Sequence, residues 1–116
     1  LDPAPAGVIL ASPANPTGTL IAADELAAIA GLCRARGIAI ISDEIYHGIT
    51  YGEPARSILT VEPQAFVINS FSKYFSMAGW RLGWLVAPPE AVAIMERLAQ
   101  NAFICVSAPA QSAALA

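Results

Sequence analysis

Apolar residues in this chain come in short runs, three of them closed by a polar cluster. The runs are Gly7-Val8-Ile9-Leu10-Ala11, Ile38-Ala39-Ile40-Ile41, Phe66-Val67-Ile68-Asn69 and Leu82-Gly83-Trp84-Leu85-Val86-Ala87. Continuous rather than alternating hydrophobicity predicts strands buried on both faces, as in a parallel sheet covered by helices. Between the first two runs, Leu26, Ile29, Ala30 and Cys33 share one face of a helix over 23–36. Asp24 and Glu25 suit its first turn, Arg34 and Arg36 its last, and Gly37 its stop. Ala22 and Ala23 stand where a capping Ser or Asp is favoured. Strand, helix and strand in this order form a βαβ unit with parallel strands and a right-handed crossover. Residues 47–64, with Gly48, Gly52, Pro54 and Pro63, read as loop with one short helix. The link after the third run is too short for a helical crossover, so an antiparallel strand is predicted over 82–87. Pro88-Pro89-Glu90 opens a second helix, whose stripe runs through Ile94, Leu98 and Ala102, and Pro109 begins a third. The expected class is α/β: a three-layer αβα slice around a mostly parallel sheet of about four strands.

The clusters that close the runs differ in chemistry. Ser12-Pro13-Ala14-Asn15-Pro16-Thr17-Gly18 brings an amide, and Ser42-Asp43-Glu44-Ile45-Tyr46 a carboxylate and a phenol. Ser70-Phe71-Ser72-Lys73 brings the only lysine of the chain, and Arg81 follows with a fixed positive charge. An open parallel sheet gathers such groups at its carboxyl edge, where ligands bind. A primary amine held there can form an imine with an aldehyde. It must be neutral to attack, which desolvation and a neighbouring cation such as Arg81 favour.

Composition narrows the classes. The 116 residues suffice for one domain or part of one. Hydrophobic residues are 56% and charged residues 13%, which leaves too few polar groups to cover the chain's own surface. It is therefore expected to be an inner slice of a larger domain, or to bury faces against partners. It opens on Leu1 and stops inside Ser112-Ala113-Ala114-Leu115-Ala116, and reads as a piece of a longer protein. A net charge of −3 with six basic residues argues against nucleic acid. No apolar run approaches the roughly 18 residues of a membrane span, and the first residues show no signal pattern. Cys33 and Cys105 lack metal-ligand spacing; both read as packing residues in a reducing, cytoplasmic setting, with no metal site expected.

Together, the strings Ser12 to Gly18, Ser42 to Tyr46, and Ser70 through Lys73 to Arg81-Leu82-Gly83 resemble the class I/II aminotransferases, which are fold-type I pyridoxal phosphate enzymes. Each string alone is a modest signal, whereas all three must hold their spacing at once. The resemblance covers essentially the whole chain, which it places in the cofactor-binding large domain as 1–116 of a partial domain. It implies pyridoxal 5'-phosphate as cofactor, and Lys73 as the residue that binds its aldehyde and shuttles the substrate proton. It implies Asp43 as the partner of the pyridine nitrogen, which keeps the ring an electron sink. Asn15 and Tyr46 correspond to the pair that bonds the phenolic oxygen. Ser70, Ser72 and Arg81 correspond to the phosphate group, where hydroxyls and a bidentate guanidinium suit a dianion. A cis Asn15-Pro16 bond is a further implication. So are amino acid and 2-oxo acid substrates, a ping-pong route through the pyridoxamine form, and a homodimer.

Plainer readings of the same residues stand beside these. Lys73 is also readable as a solvated lysine and Asp43 as the cap of a turn. Asn15 fits a turn before Pro16, Tyr46 a core edge, and Arg81 a surface ion pair. Glu44 is expected to point away from Asp43 in a structural role. His47, with no acid–base partner evident, reads as structural or solvent-facing. Ser76, Trp80 and Trp84 read as packing or loop contacts, and neither Tyr51 nor Tyr74 is assigned. A lyase or decarboxylase on the same scaffold is the alternative within enzymes. The cofactor-sensing domain of a transcription regulator is another. A plain nucleotide-binding domain lacks its glycine motifs here. The upstream phosphate loop, the ring-stacking aromatic and the substrate-carboxylate arginine of the family are missing, so the isolated piece is expected not to turn over.

Overall fold

The computed structural model describes residues 5–116. Strand β1 (Gly7–Ala11) leads into helix α1 (Ala23–Arg36) and strand β2 (Ala39–Asp43). A 22-residue stretch over 44–65, with a 3-10 turn at Ile58–Thr60, reaches β3 (Phe66–Ser70). Then come β4 (Gly83–Val86), helix α2 (Pro89–Ala102) and helix α3 (Ala108–Ala114). The sheet order is β1-β2-β3-β4. The first two pairings are parallel and β3–β4 is antiparallel, as the short link demands. The observed β2 runs to Asp43, two residues past the expected end, and β4 is one residue shorter at each end.

Helix α1 forms without a capping side chain. Glu25 instead reaches back to accept a bond from the Ala22 N–H (3.1 Å), and Asp24 accepts one from the Glu25 N–H (3.0 Å). These carboxylates satisfy first-turn donors and suit the positive end of the helix. At the far end Gly37 adopts φ 65° and the Ile38 N–H closes back on the Cys33 carbonyl (2.9 Å), a Schellman-type stop. Arg34 then ties α1 to the 3-10 turn, through Glu62 (2.8 Å) and the Val61 carbonyl (2.9 Å).

The core lies on one face of the sheet. Leu26, Ala30 and Cys33 of α1 pack with Ile40, Val67 and Ile58, the last wholly buried. Pairing registers put Ile9, Ile41, Asp43, Ile68 and Leu85 on the opposite face. There Ile9 is 74% exposed and Ile68 44%. Among the described residues the strands are thus covered on one face only. β1 is an edge strand, and α2 stands off Ile68 and Leu85 across a cavity of ≈ 1100 Å³. For the same reason the α2 stripe is not buried, since Ile94 and Leu98 are both more than half exposed. Cys33 is buried as expected, whereas Cys105 is exposed on the rim of this cavity, so it is not a packing residue here. No helix of the described residues is long and apolar enough to cross a membrane.

Candidate functional site

The three polar clusters and Arg81 lie at the carboxyl edge of β1, β2 and β3, where β4 returns. A cavity of ≈ 470 Å³ opens there, lined by Ile45, Ser70, Ser72, Lys73, Ala78, Arg81, Leu82 and Gly83. Its hydroxyls are held by the turn after β3. Ser70 Oγ donates to the Leu82 carbonyl (2.9 Å), accepts from the Ser72 N–H (3.0 Å), and lies 2.8 Å from Ser72 Oγ. The Phe71 N–H donates to the same Leu82 carbonyl (3.1 Å), closing the β3–β4 link around the cavity. Phe71 stacks edge-on against Trp84 (5.2 Å), which fixes the base of the turn. Trp80 and Trp84 line the larger apolar cavity and are 48% and 40% exposed; among the described residues only Trp84, through Phe71, has an aromatic packing contact.

Arg81 sits in the left-handed region (φ 54°), uncommon for a side chain of its size. Its guanidinium donates to the Ala78 carbonyl (3.0 Å) and makes no ion pair among the described residues. A guanidinium has five N–H donors, so one such bond fixes its direction and leaves the others for an anion. Lys73 is exposed, with Nζ 5.7 Å from the centroid of the Tyr46 ring. The desolvation that its chemistry requires is therefore not supplied by the described residues.

Asp43 ends β2 on the sheet face that carries Ile68 and Ser70. Its Oδ1 accepts from the Ile45 N–H (3.1 Å). The turn-capping reading is thus correct for one oxygen, and the other takes no bond from a described residue. Tyr46 lies in the turn that follows. Gly48 ends that turn at φ +87°, where an added Cβ would come within 2.6 Å of the Tyr74 ring. Glycine is needed there both for its conformation and for the close approach that joins the Tyr46 turn to the Lys73 loop. Asn15 is exposed on the loop after β1, and its bond to Pro16 is cis, as is Ser12-Pro13. Asn15, Asp43 and Tyr46 stand outside the lining of the ≈ 470 Å³ cavity. The structure therefore brings Ser70, Ser72, Lys73 and Arg81 into one cavity and Tyr46 next to Lys73, with Asp43 and Asn15 on neighbouring strand ends.

Two residues gain definition that the sequence withheld. Glu44 is 3% exposed, and its Oε1 accepts from Ser42 Oγ (3.1 Å), Ser57 Oγ (3.1 Å) and the Ile58 N–H (2.9 Å). Its structural role holds, with a definite content. His47 does have an acidic partner: Nδ1 lies 3.4 Å from Glu44 Oε2, and Nε2 lies 3.0 Å from the Ser12 carbonyl. Ser57 and Ser12 were not singled out, because their partners lie 13 and 35 residues away along the chain.

The family model for aminotransferases of class I and II matches residues 1–116. The chain is 49% identical, over 99% of its length, to the valine–pyruvate aminotransferase of Mycobacterium tuberculosis, of which it covers 30%. It is 40% identical, over its full length, to an aspartate aminotransferase of Geobacillus stearothermophilus, of which it covers 31%. Among solved structures, an aminotransferase from Mycobacterium tuberculosis superposes on 96% of the chain with TM-score 0.88 at 46% identity, with 31% of that structure covered. The aspartate aminotransferase of Thermotoga maritima superposes on 94% with TM-score 0.89 at 35% identity, with 30% covered. The chain thus spans about 30% of the length of the relatives that it matches.

Proposed function

Since this chain belongs to the class I and II aminotransferase family, we propose that its parent protein moves an amino group between an amino acid and a 2-oxo acid, with pyridoxal 5'-phosphate as cofactor. The observation that supports this most directly is the single cavity shared by Lys73, Ser70, Ser72 and Arg81. Its donor set fits the group: two hydroxyls and a guanidinium suit a phosphate, and an amine stands at the mouth. When bound, the cofactor supplies an aldehyde carbon for an amine and a ring that accepts electrons.

The chain's own residues then divide the work. Lys73 would hold the cofactor through Nζ and could carry a proton on that atom. Ser70, Ser72 and Arg81 bind the phosphate. The second oxygen of Asp43 would pair with the ring nitrogen and favour its protonated form. Asn15 and Tyr46 would donate to the phenolic oxygen and favour it as an anion. In this reading 1–116 is part of the cofactor-binding large domain. The rest of the parent closes over Lys73 and excludes water. The parent works in amino acid metabolism, in the cytoplasm, as a homodimer.

The reading is tested on the full-length parent. With an amino acid alone it should consume about one equivalent per bound cofactor and stop; adding a 2-oxo acid should restart it. Continued product release without the oxo acid would instead mark a lyase or decarboxylase, and tight cofactor binding with no turnover a sensor. The isolated 116 residues are expected to show no turnover. Arg81→Lys in the parent should weaken cofactor binding by about tenfold or more, because a point charge replaces a two-pronged donor. Equilibrium dialysis of the apoprotein checks this, and unchanged affinity would remove Arg81 from the phosphate group.

A further inference from the structure

We propose that His47 is a positioning residue that sets the spacing between the loop bearing Asn15 and the turn bearing Tyr46. The inference rests on the cofactor reading above and adds a residue which that reading does not use. Ser12 begins the Asn15 loop and is 4% exposed. It is pinned at three points: its N–H donates to the Asp43 carbonyl (3.3 Å), its Oγ accepts from the Ile21 N–H (3.0 Å), and its carbonyl accepts from His47 Nε2 (3.0 Å). A carbonyl only accepts, so Nε2 carries the proton in this contact.

The other end of the imidazole faces an acid, and with Nε2–H given to Ser12 that contact attracts only when Nδ1 is protonated as well. Nδ1 faces Glu44 Oε2 (3.4 Å), while Glu44 Oε1 takes three bonds of its own. The Glu44 N–H donates to the Ile68 carbonyl (2.9 Å), so this acid is fixed to β3 as well. His47 is one residue from Tyr46, and its own N–H closes the turn on the Glu44 carbonyl (3.0 Å). The side chain is 19% exposed. It is therefore a short strut, facing a buried carboxylate, between the Asn15 loop and the Tyr46 turn, the two segments that the cofactor reading assigns to the phenolic oxygen. Such a strut acts through the placement of Asn15 and Tyr46 and needs no contact with substrate.

The experiment compares His47→Gln and His47→Asn in the full-length holoenzyme and apoprotein. Gln presents an N–H near the Nε2 position and can keep the Ser12 bond; Asn is too short to reach it. In the holoenzyme, His47→Asn should raise the pH midpoint of the cofactor's visible absorbance by about 0.5 to 1 unit, because weaker donation lets the phenolic oxygen hold its proton more tightly. Cofactor affinity should fall about three- to tenfold. In the apoprotein, amide exchange over 12–18 should quicken by a similar factor. His47→Gln should stay close to wild type in all three. If both variants lose thermal stability alike while midpoint and exchange stay put, His47 is only a packing residue and the inference fails. If wild type itself shows no Lys73-dependent absorbance, the cofactor reading fails, and the exchange result still decides whether His47 holds the loop.

Discussion

In the full-length parent, Lys73→Ala is expected to lower turnover by about four orders of magnitude and to abolish cofactor fixed to the protein by borohydride. Two losses combine: the attacking amine and the group that moves the substrate proton. A positioned acid–base group alone is worth about 10²- to 10⁴-fold. Within this chain no other amine can take over, because Lys73 is its only lysine and the nearby cation is Arg81, which does not give up its proton. Lys73→Arg separates charge from chemistry. It keeps a positive group over the Tyr46 ring but offers no nucleophile, and should be as inactive as the Ala variant. The readouts are single-turnover kinetics and the peptide mass after reduction. An Ala variant that retains the reduced adduct on the peptide around position 73 would overturn the assignment.

Much of this arrangement is visible in the order of residues, for reasons that are local. β1 ends where Ser12 replaces the apolar run, α1 ends at a glycine that takes a left-handed conformation, and the short link into β4 leaves no room for a helix. Those are properties of a few adjacent residues. The edge location of Asn15, Asp43 and Lys73 follows once the strands are parallel. What was not legible depends on distant partners. Ile58 lies in a stretch that reads as loop, yet it fills the gap between α1 and the sheet. Glu44 reads as one more acid beside Asp43. Its hub character arises because Ser57 and Ile58 come back to it from 13 and 14 residues on. The one-sided core was hidden for a different reason. An apolar run records that a strand face is suited to burial, and Ile9, Ile68 and Leu85 are apolar whether or not these residues alone cover them.

Glu44→Ala should destabilise the protein by about 3 to 5 kcal/mol. Three donors converge on its Oε1; the variant strands the buried Ser42 Oγ and Ile58 N–H, while the half-buried Ser57 Oγ can turn to water. Each buried donor left without a partner costs about 1 to 3 kcal/mol. The Ile58 N–H is worst placed, because its side chain is the most enclosed in the core and water cannot readily replace the carboxylate. The same change leaves His47 Nδ1 without its acidic neighbour. Glu44→Gln distinguishes shape from satisfaction. Its amide oxygen can still accept at the Oε1 position, so the loss should be about 1 to 2 kcal/mol. The urea midpoint of the apoprotein's first unfolding transition reports both values, provided the slope is unchanged. Equal and small effects of the two variants would mean that the loop over 44–58 is held by Ile58 packing alone. In that case the carboxylate merely occupies space between β2 and the 3-10 turn.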